Sequence, residues 1–200
     1  MKKILKILLI ISGLIIVVYG LFFADGWIKG NFHVITENNA YRSRQLDKNL
    51  LKYYLNRYGI KSVINLRGAE PGKDWYDDEI EVCDTYGVNH YDLDMAMDKE
   101  PTDEQIETLL NWFKTVPRPV FIHCLGGSDR TGLAATLWKI VIDKQDKKTA
   151  AKHMLFYYGH MPFGKAKPLD KWLWSTEINP EDETIKIDNT EQEQDLEKVI

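Results

Sequence analysis

An α/β fold, a largely parallel central sheet flanked by helices, is what this sequence predicts, and three observations predict it. Short runs rich in β-branched and aromatic residues alternate with longer stretches of helical periodicity, the pattern of parallel strands joined by helical crossovers. Pro119-Val-Phe-Ile-His123 is apolar up to its last residue, as a central strand covered on both faces must be. That strand runs into a glycine-bearing segment and then a helix, so whatever the segment carries lies at the carboxyl end of the sheet, where α/β folds place ligands.

In chain order the strands are His33–Thr36, Ser62–Leu66, Asn89–Asp94 and Pro119–His123. The helices between and after them are Leu46–Arg57, Asp74–Tyr86, Asp103–Lys114, Thr131–Asp143 and Lys148–Tyr158. Apolar residues at helical spacing mark them, for example Ile106, Leu109, Leu110 and Phe113. Together they make one domain over residues 32–176, a size suited to a single core.

The two ends differ from this middle. Ile7 to Ala24 carries no charged residue, and at ~1.5 Å per residue such a helix reaches ~27 Å, close to a bilayer's hydrocarbon core. Lys2, Lys3 and Lys6 precede the run, which places the N-terminus in the cytoplasm and the domain outside it, on the periplasmic side of the inner membrane in a bacterium. Tyr19, Phe22 and Phe23 stand where a signal-peptide cleavage site wants small residues, so residues 1–24 read as an uncleaved anchor or signal, with 25–31 as linker. Residues 177–200 hold nine acidic side chains against Lys186 and Lys198 and read as a solvated, disordered tail.

The formal net charge of −4 and pI near 5.8 argue against a nucleic-acid partner. Cys83 and Cys124 are too few for a disulfide scaffold or a thiolate zinc cage, and no cluster has metal-ligand spacing, so no metal and no cofactor is expected.

The chemistry is concentrated in His123-Cys124-Leu125-Gly126-Gly127-Ser128-Asp129-Arg130-Thr131-Gly132. A glycine-bearing turn from strand to helix points successive N–H groups inward at a helix N-terminus, which makes an anion cradle. A cysteine at its base feels that positive potential, which favours the thiolate. Arg130 can return across the loop and offer two oxygens its planar fork, a geometry lysine lacks. Thr131 is placed to donate its hydroxyl to the sulfur.

These residues match His-Cys-x5-Arg-Thr/Ser-Gly, and the chain resembles the cysteine-dependent protein tyrosine and dual-specificity phosphatase superfamily. Tyr41-Arg-Ser-Arg-Gln-Leu46 and Ile60-Lys-Ser-Val-Ile-Asn-Leu-Arg67 look like stretches near the start of its small bacterial members. The resemblance covers about Phe32 to Trp174. It implies a phosphotyrosine phosphatase-like fold, phosphate-monoester hydrolysis through a phosphocysteine on Cys124, and a substrate-binding loop of Leu125, Gly126, Gly127, Ser128, Asp129 and Arg130. His123 would support the loop, and Thr131 would stabilise the departing thiolate.

The superfamily's general acid is an aspartate upstream of the cysteine, on a loop after a strand. Asp92 and Asp94 alternate with Tyr91, Leu93 and Met95 as strand residues do, whereas Asp98 sits before Pro101 and the next helix, so Asp98 is the assigned acid and Asp94 the next choice. Arg67 is placed equally between the mouth and an ordinary surface position, and Arg42 and Arg44 read as structural. Phosphotyrosine and phosphoserine or phosphothreonine proteins are the expected substrates. Phospholipid, phosphoinositide or sugar phosphates are the alternative, although Ser128 stands where related lipid phosphatases carry a basic residue. The rivals are a catalytically silent phosphate-binding module and a rhodanese-type sulfur transferase. A reversible Cys83–Cys124 pair is the alternative to a buried, inert Cys83, and the inert thiol is the expectation.

Overall fold

The computed structural model describes residues 2–179 and 185–187. A five-stranded sheet in the order β1-β2-β5-β3-β4 forms its centre, built from β1 (His33–Thr36), β2 (Ala40–Arg44), β3 (Ser62–Asn65), β4 (Asn89–Asp92) and β5 (Val120–Cys124). Only the edge pair β1–β2 is antiparallel; β2, β5, β3 and β4 run parallel. The expected α/β class and largely parallel sheet are therefore what the chain forms.

Strand alternation divides the core. Val120, Ile122 and Cys124 of β5 face the larger apolar cluster, which holds Leu109 and Phe113 of α4 (Asp103–Thr115) and the apolar side chains of α5 (Asp129–Val141) from Leu133 to Val141. Phe121 faces the smaller cluster with Leu51 and Leu55 of α2 (Lys48–Tyr58) and Val82 and Cys83 of α3 (Asp74–Tyr86). The two cysteines therefore lie in different apolar clusters, both free and both buried. Burial, with nearby Glu79, Asp84 and Asp92, pushes the Cys83 thiol up to about 12. That is an inert thiol.

Capping sets several boundaries. Asp47 accepts from the N–H groups of Asn49 and Leu50 to start α2, and Thr102 forms a capping box with Gln105 to start α4. Gly59 and Gly87 end α2 and α3 in the left-handed conformation.

Three elements differ from the sequence reading. β2 forms where the sequence predicts no strand. The expected helix over Lys148–Tyr158 is instead a short α6 (Lys147–Ala150) followed by 3₁₀ turns over Ala151–Met154 and Phe156–Tyr158. The reason is a competing hydrogen bond: the carbonyl of His153 accepts from Arg42 at 2.7 Å, and Leu155 turns extended. A further helix, α7 (Lys167–Ser175), buries Leu169, Trp172 and Leu173.

At the C-terminal side, β6 (Thr176–Ile178) pairs antiparallel with β7 (Ile185–Ile187), where an unstructured tail was expected from residue 177. The rest of that tail, 188–200, lies outside the described residues. At the other end, α1 spans Lys2–Ile28, and its side chains at 2, 8, 15, 16, 19, 21–25 and 27 lie outside the description. Among the described residues no helix is long and apolar enough to cross a membrane, so the expected membrane segment finds no support there.

Candidate active site

Register brings the carboxyl ends of the parallel strands together. Arg44 pairs with Cys124, and Asn65 pairs with both His123 and Asp92. Cys124 ends β5 and is 3% exposed, and α5 begins five residues later. The N-terminus of α5 has no side-chain cap, so its first N–H groups are left without a capping side-chain acceptor where the loop ends. An uncapped N-terminus over a cysteine is an anion-binding arrangement.

The loop's path is fixed by its neighbours. Gly127 has φ +68°, and a Cβ there would come within 2.4–2.5 Å of the backbone of Ser43 and Arg44. From below, the fully buried Arg42 donates Nη2 to the carbonyl of Gly127 at 2.7 Å and Nη1 to that of His153. Its guanidinium also lies 4.2 Å from the centre of the Tyr158 ring. Burial lowers its pKa to about 10, far above neutrality, so the cation persists. The Gln45 N–H donates to the carbonyl of Leu125, and Asn31 Nδ2 donates to those of Gly126 and Tyr158. These contacts hold the loop's carbonyls outward.

Arg130 Nη1 donates to the carbonyls of Leu66 and Met95 at 3.1 and 3.0 Å, which sets the plane of its fork. Asp129 accepts from His160 Nδ1 at 2.8 Å, and His160 Nε2 lies 3.1 Å from Asp170 on α7. Burial disfavours the imidazolium of His160, but the hydrogen bonds to Asp129 and Asp170 outweigh burial and raise its pKa. His160 thus ties the first turn of α5 to α7.

His123 Nε2 meets Glu79 Oε1 at 3.0 Å; the same carboxylate takes His90 Nε2 at 2.8 Å and Gln45 Nε2 at 2.7 Å. Burial opposes ionisation of Glu79, but the charge of His123 and the hydrogen bonds from His123 and His90 hold its carboxyl well below the usual range. A carboxylate so depressed stabilises the fold above its ordinary value of 4.5, and that contribution is lost as pH falls towards the folded value. Replacing Glu79 with Gln is expected to cost about 2 kcal/mol at neutral pH through the lost charge-assisted hydrogen bonds. Denaturant unfolding of wild type and variant across pH checks this, the gap narrowing below 4.5.

Thr131 is fully buried and its Oγ1 has no hydrogen-bond partner, so the expected bond to the sulfur is absent. Among the aspartates, Asp92 is committed to Asn65 Nδ2 at 2.8 Å and Tyr76 Oη at 2.6 Å. Asp94 is exposed and forms an isolated bridge with Arg67. Asp98 is exposed three residues beyond the Met95 carbonyl that Arg130 grips; with Glu100, Lys165, Lys167 and Lys171 it lines a cleft of about 320 Å³. Arg67 stacks on Trp75 at 3.4 Å and donates to Gln45, which binds Glu79, so it belongs to the support of His123.

Sequence reasoning missed Glu79, His160 and Asn31 as supports of the loop. Only Glu79 left a signal: Tyr76, Ile80 and Cys83 mark the apolar face of α3, and a carboxylate on that face needs a buried partner. Among the described residues no group of three or more His, Cys, Asp or Glu side chains is arranged to hold a metal ion.

No curated protein matches the chain. Among solved structures, P. aeruginosa TpbA has a TM-score of 0.59 at 21% identity, covering 74% of this chain and 85% of its own. A Cys-to-Ser TpbA variant in complex with pTyr has a TM-score of 0.58 at 22% identity, over 72% of this chain and 83% of that one. The core catalytic domain of the S. cerevisiae PP-IP phosphatase SIW14, in complex with citrate, gives 0.56 at 17%, over 84% and 91%. These identities show a shared fold. By sequence, residues 29–163, from the turn after α1 through the loop to its outer rim, fit the family described as DSP-PTPase phosphatase fused to NAD+ kinase, and the chain belongs to that family.

Proposed function

We propose that the protein hydrolyses phosphate monoesters through a phosphocysteine. One observation carries the reading: Cys124 lies at the base of an uncapped helix N-terminus, inside a loop whose carbonyls are held away and whose arginine is fixed by Leu66 and Met95. The Cys124 thiolate attacks phosphorus in line, forming an S–P bond as the ester P–O bond breaks. The loop N–H groups and Arg130 hold the non-bridging oxygens, and Asp98 gives its proton to the departing oxygen. Asp98, now a carboxylate, takes a proton from water as that water attacks phosphorus; the S–P bond breaks, releasing inorganic phosphate and the thiolate. Buried Thr131 Oγ1, without another partner, is the hydroxyl available to that thiolate.

Phosphotyrosine and phosphoserine or phosphothreonine fall within this class, as do lipid and sugar phosphates. The pTyr bound to the TpbA variant and the PP-IP substrate of SIW14 support a phosphorylated substrate in general. Anchoring through the N-terminal segment, with the domain outside the cytoplasm, is part of the proposal. Its support is the uncharged run from 7 to 24 and the exposure of Ile4, Leu9, Ile10, Leu14 and Val18 on α1.

Hydrolysis of an aryl phosphate by the full chain, with chelator and reductant present, tests the reading. The wild type turns over, and Asp98→Asn falls by roughly a hundredfold or more, as loss of a general acid demands. A folded, reduced protein that binds phosphate without turning it over would instead be a binding module. An Asp98→Asn variant at the wild-type rate, beside a slowed Asp94→Asn, would move the acid to Asp94.

A further inference from the structure

The rim of the loop is apolar to an unusual extent. Leu125, immediately after the cysteine, is 61% exposed, and Leu155, Phe156, Tyr157, Met161 and Phe163 are exposed by 42–67%. Single exposed apolar side chains are ordinary, but a contiguous group beside a catalytic mouth marks an interaction surface. The segment that carries five of them is bound to the loop itself. Asn31 bridges the carbonyls of Gly126 and Tyr158, Gly159 sits against Ser128, and His160 bonds Asp129. Next along the chain come exposed Lys165 and Lys167, on the cleft that Asp98 lines.

The chain also enters the domain at this mouth. Gly30 accepts from the N–H of Arg44 and Lys29 from Tyr54 Oη, so the first residues after α1 are fastened beside the loop by bonds that do not depend on how α1 is directed. The exposed apolar side chains of α1 therefore leave the domain next to the exposed apolar rim. Aromatic and aliphatic side chains with flanking lysines are the composition that settles at a bilayer interface, the rings at headgroup level and the ammonium groups on anionic lipid.

We infer that the catalytic mouth docks on an anionic phospholipid surface through Leu125, Leu155, Met161 and Phe163 with Lys165 and Lys167, and takes its phosphate monoester from a lipid headgroup there. This rests on the phosphatase reading of the Cys124 loop and adds the surface that supplies the substrate. The bond cleaved is the headgroup P–O ester, with water as co-reactant, leaving a neutral lipid alcohol and inorganic phosphate.

The test uses the full chain in phosphatidylcholine vesicles containing phosphatidic acid, with a water-soluble aryl phosphate assayed in the same vesicles. The wild type releases phosphate from both. Met161→Ser with Phe163→Ser lowers release from phosphatidic acid by about tenfold or more, the partition value of a buried aromatic side chain, while aryl phosphate turnover stays within about twofold. Lys165→Glu with Lys167→Glu lowers the lipid reaction similarly, and less so at high salt. Aryl phosphate turnover without lipid turnover, an unchanged lipid rate in both double variants, or an equal fall on both substrates would overturn the docking surface. Failure of the wild type on both substrates would overturn the phosphatase reading instead. Faster turnover of a soluble phosphopeptide than of phosphatidic acid, unaffected by the double variants, would assign the mouth to protein substrates.

Discussion

Replacing Cys124 with Ser is expected to lower turnover by roughly ten-thousandfold or more while leaving phosphate binding in place. The two effects separate because the residues that perform them are separate. In the proposed mechanism binding resides in the uncapped α5 N-terminus and the guanidinium of Arg130, fixed by the carbonyls of Leu66 and Met95. Neither depends on the sulfur. The nucleophile does, because a serine hydroxyl here has no adjacent base to take its proton: His123, the residue before it, is turned to Glu79. A ten-thousandfold loss corresponds to about 5.5 kcal/mol of transition-state stabilisation. Single-turnover phosphate release and phosphate binding by calorimetry check both halves. Cys83→Ala is the companion: that thiol lies in the other apolar cluster, so it should leave turnover unchanged, whereas a parallel loss would show that activity depends on a second thiol.

Much of the candidate site's geometry was legible because its residues are adjacent in sequence. A strand, a turn and a helix place Cys124 and Arg130 by local geometry alone, and the apolar run into His123 identified the strand. What supports the loop was less visible, because its partners come from distant segments and are polar. Ala40-Tyr-Arg-Ser-Arg44 forms an interior strand, yet it offers none of the β-branched content by which strands are found. Arg42 can be buried there only because the Gly127 and His153 carbonyls and the Tyr158 ring receive it, 85 or more residues away. The same bond diverts the His153 carbonyl and explains why helical periodicity after Lys148 did not become a continuous helix. Helix α7 is a different case: Leu169, Trp172 and Leu173 have helical spacing, and the signal was present but short. Asp98 is the residue whose role depends least on fixed contacts and so gains least from a static fold.

Gly127→Ala is expected to damage the protein far more than Gly126→Ala, although the two glycines are neighbours in one loop. At Gly126 the backbone is ordinary, and an added methyl would meet only the Ser128 Oγ at 3.2 Å, the end of a side chain that can turn away. At Gly127 the left-handed φ alone costs a residue with a Cβ about 1–2 kcal/mol. The methyl would also lie 2.4–2.5 Å from backbone atoms of Ser43 and Arg44. Those atoms cannot yield locally, because they belong to β2, which pairs with β5 through Arg44 and Cys124 and whose Arg42 holds the Gly127 carbonyl. The loop must move instead, which breaks the bond from Arg42 and leaves a buried cation short of an acceptor. Strain and the lost bond together come to about 3–5 kcal/mol, a fall in Tm of roughly 6–20 °C for a chain of this size. Thermal unfolding with phosphate binding measures it. Since the same displacement pulls the loop amides off the anion, affinity for phosphate falls together with stability in Gly127→Ala, whereas Gly126→Ala keeps both within about 1 kcal/mol of wild type. Equal tolerance of the two substitutions would mean that the loop is not held from below by β2, and that the path of the anion cradle is set by its own residues alone.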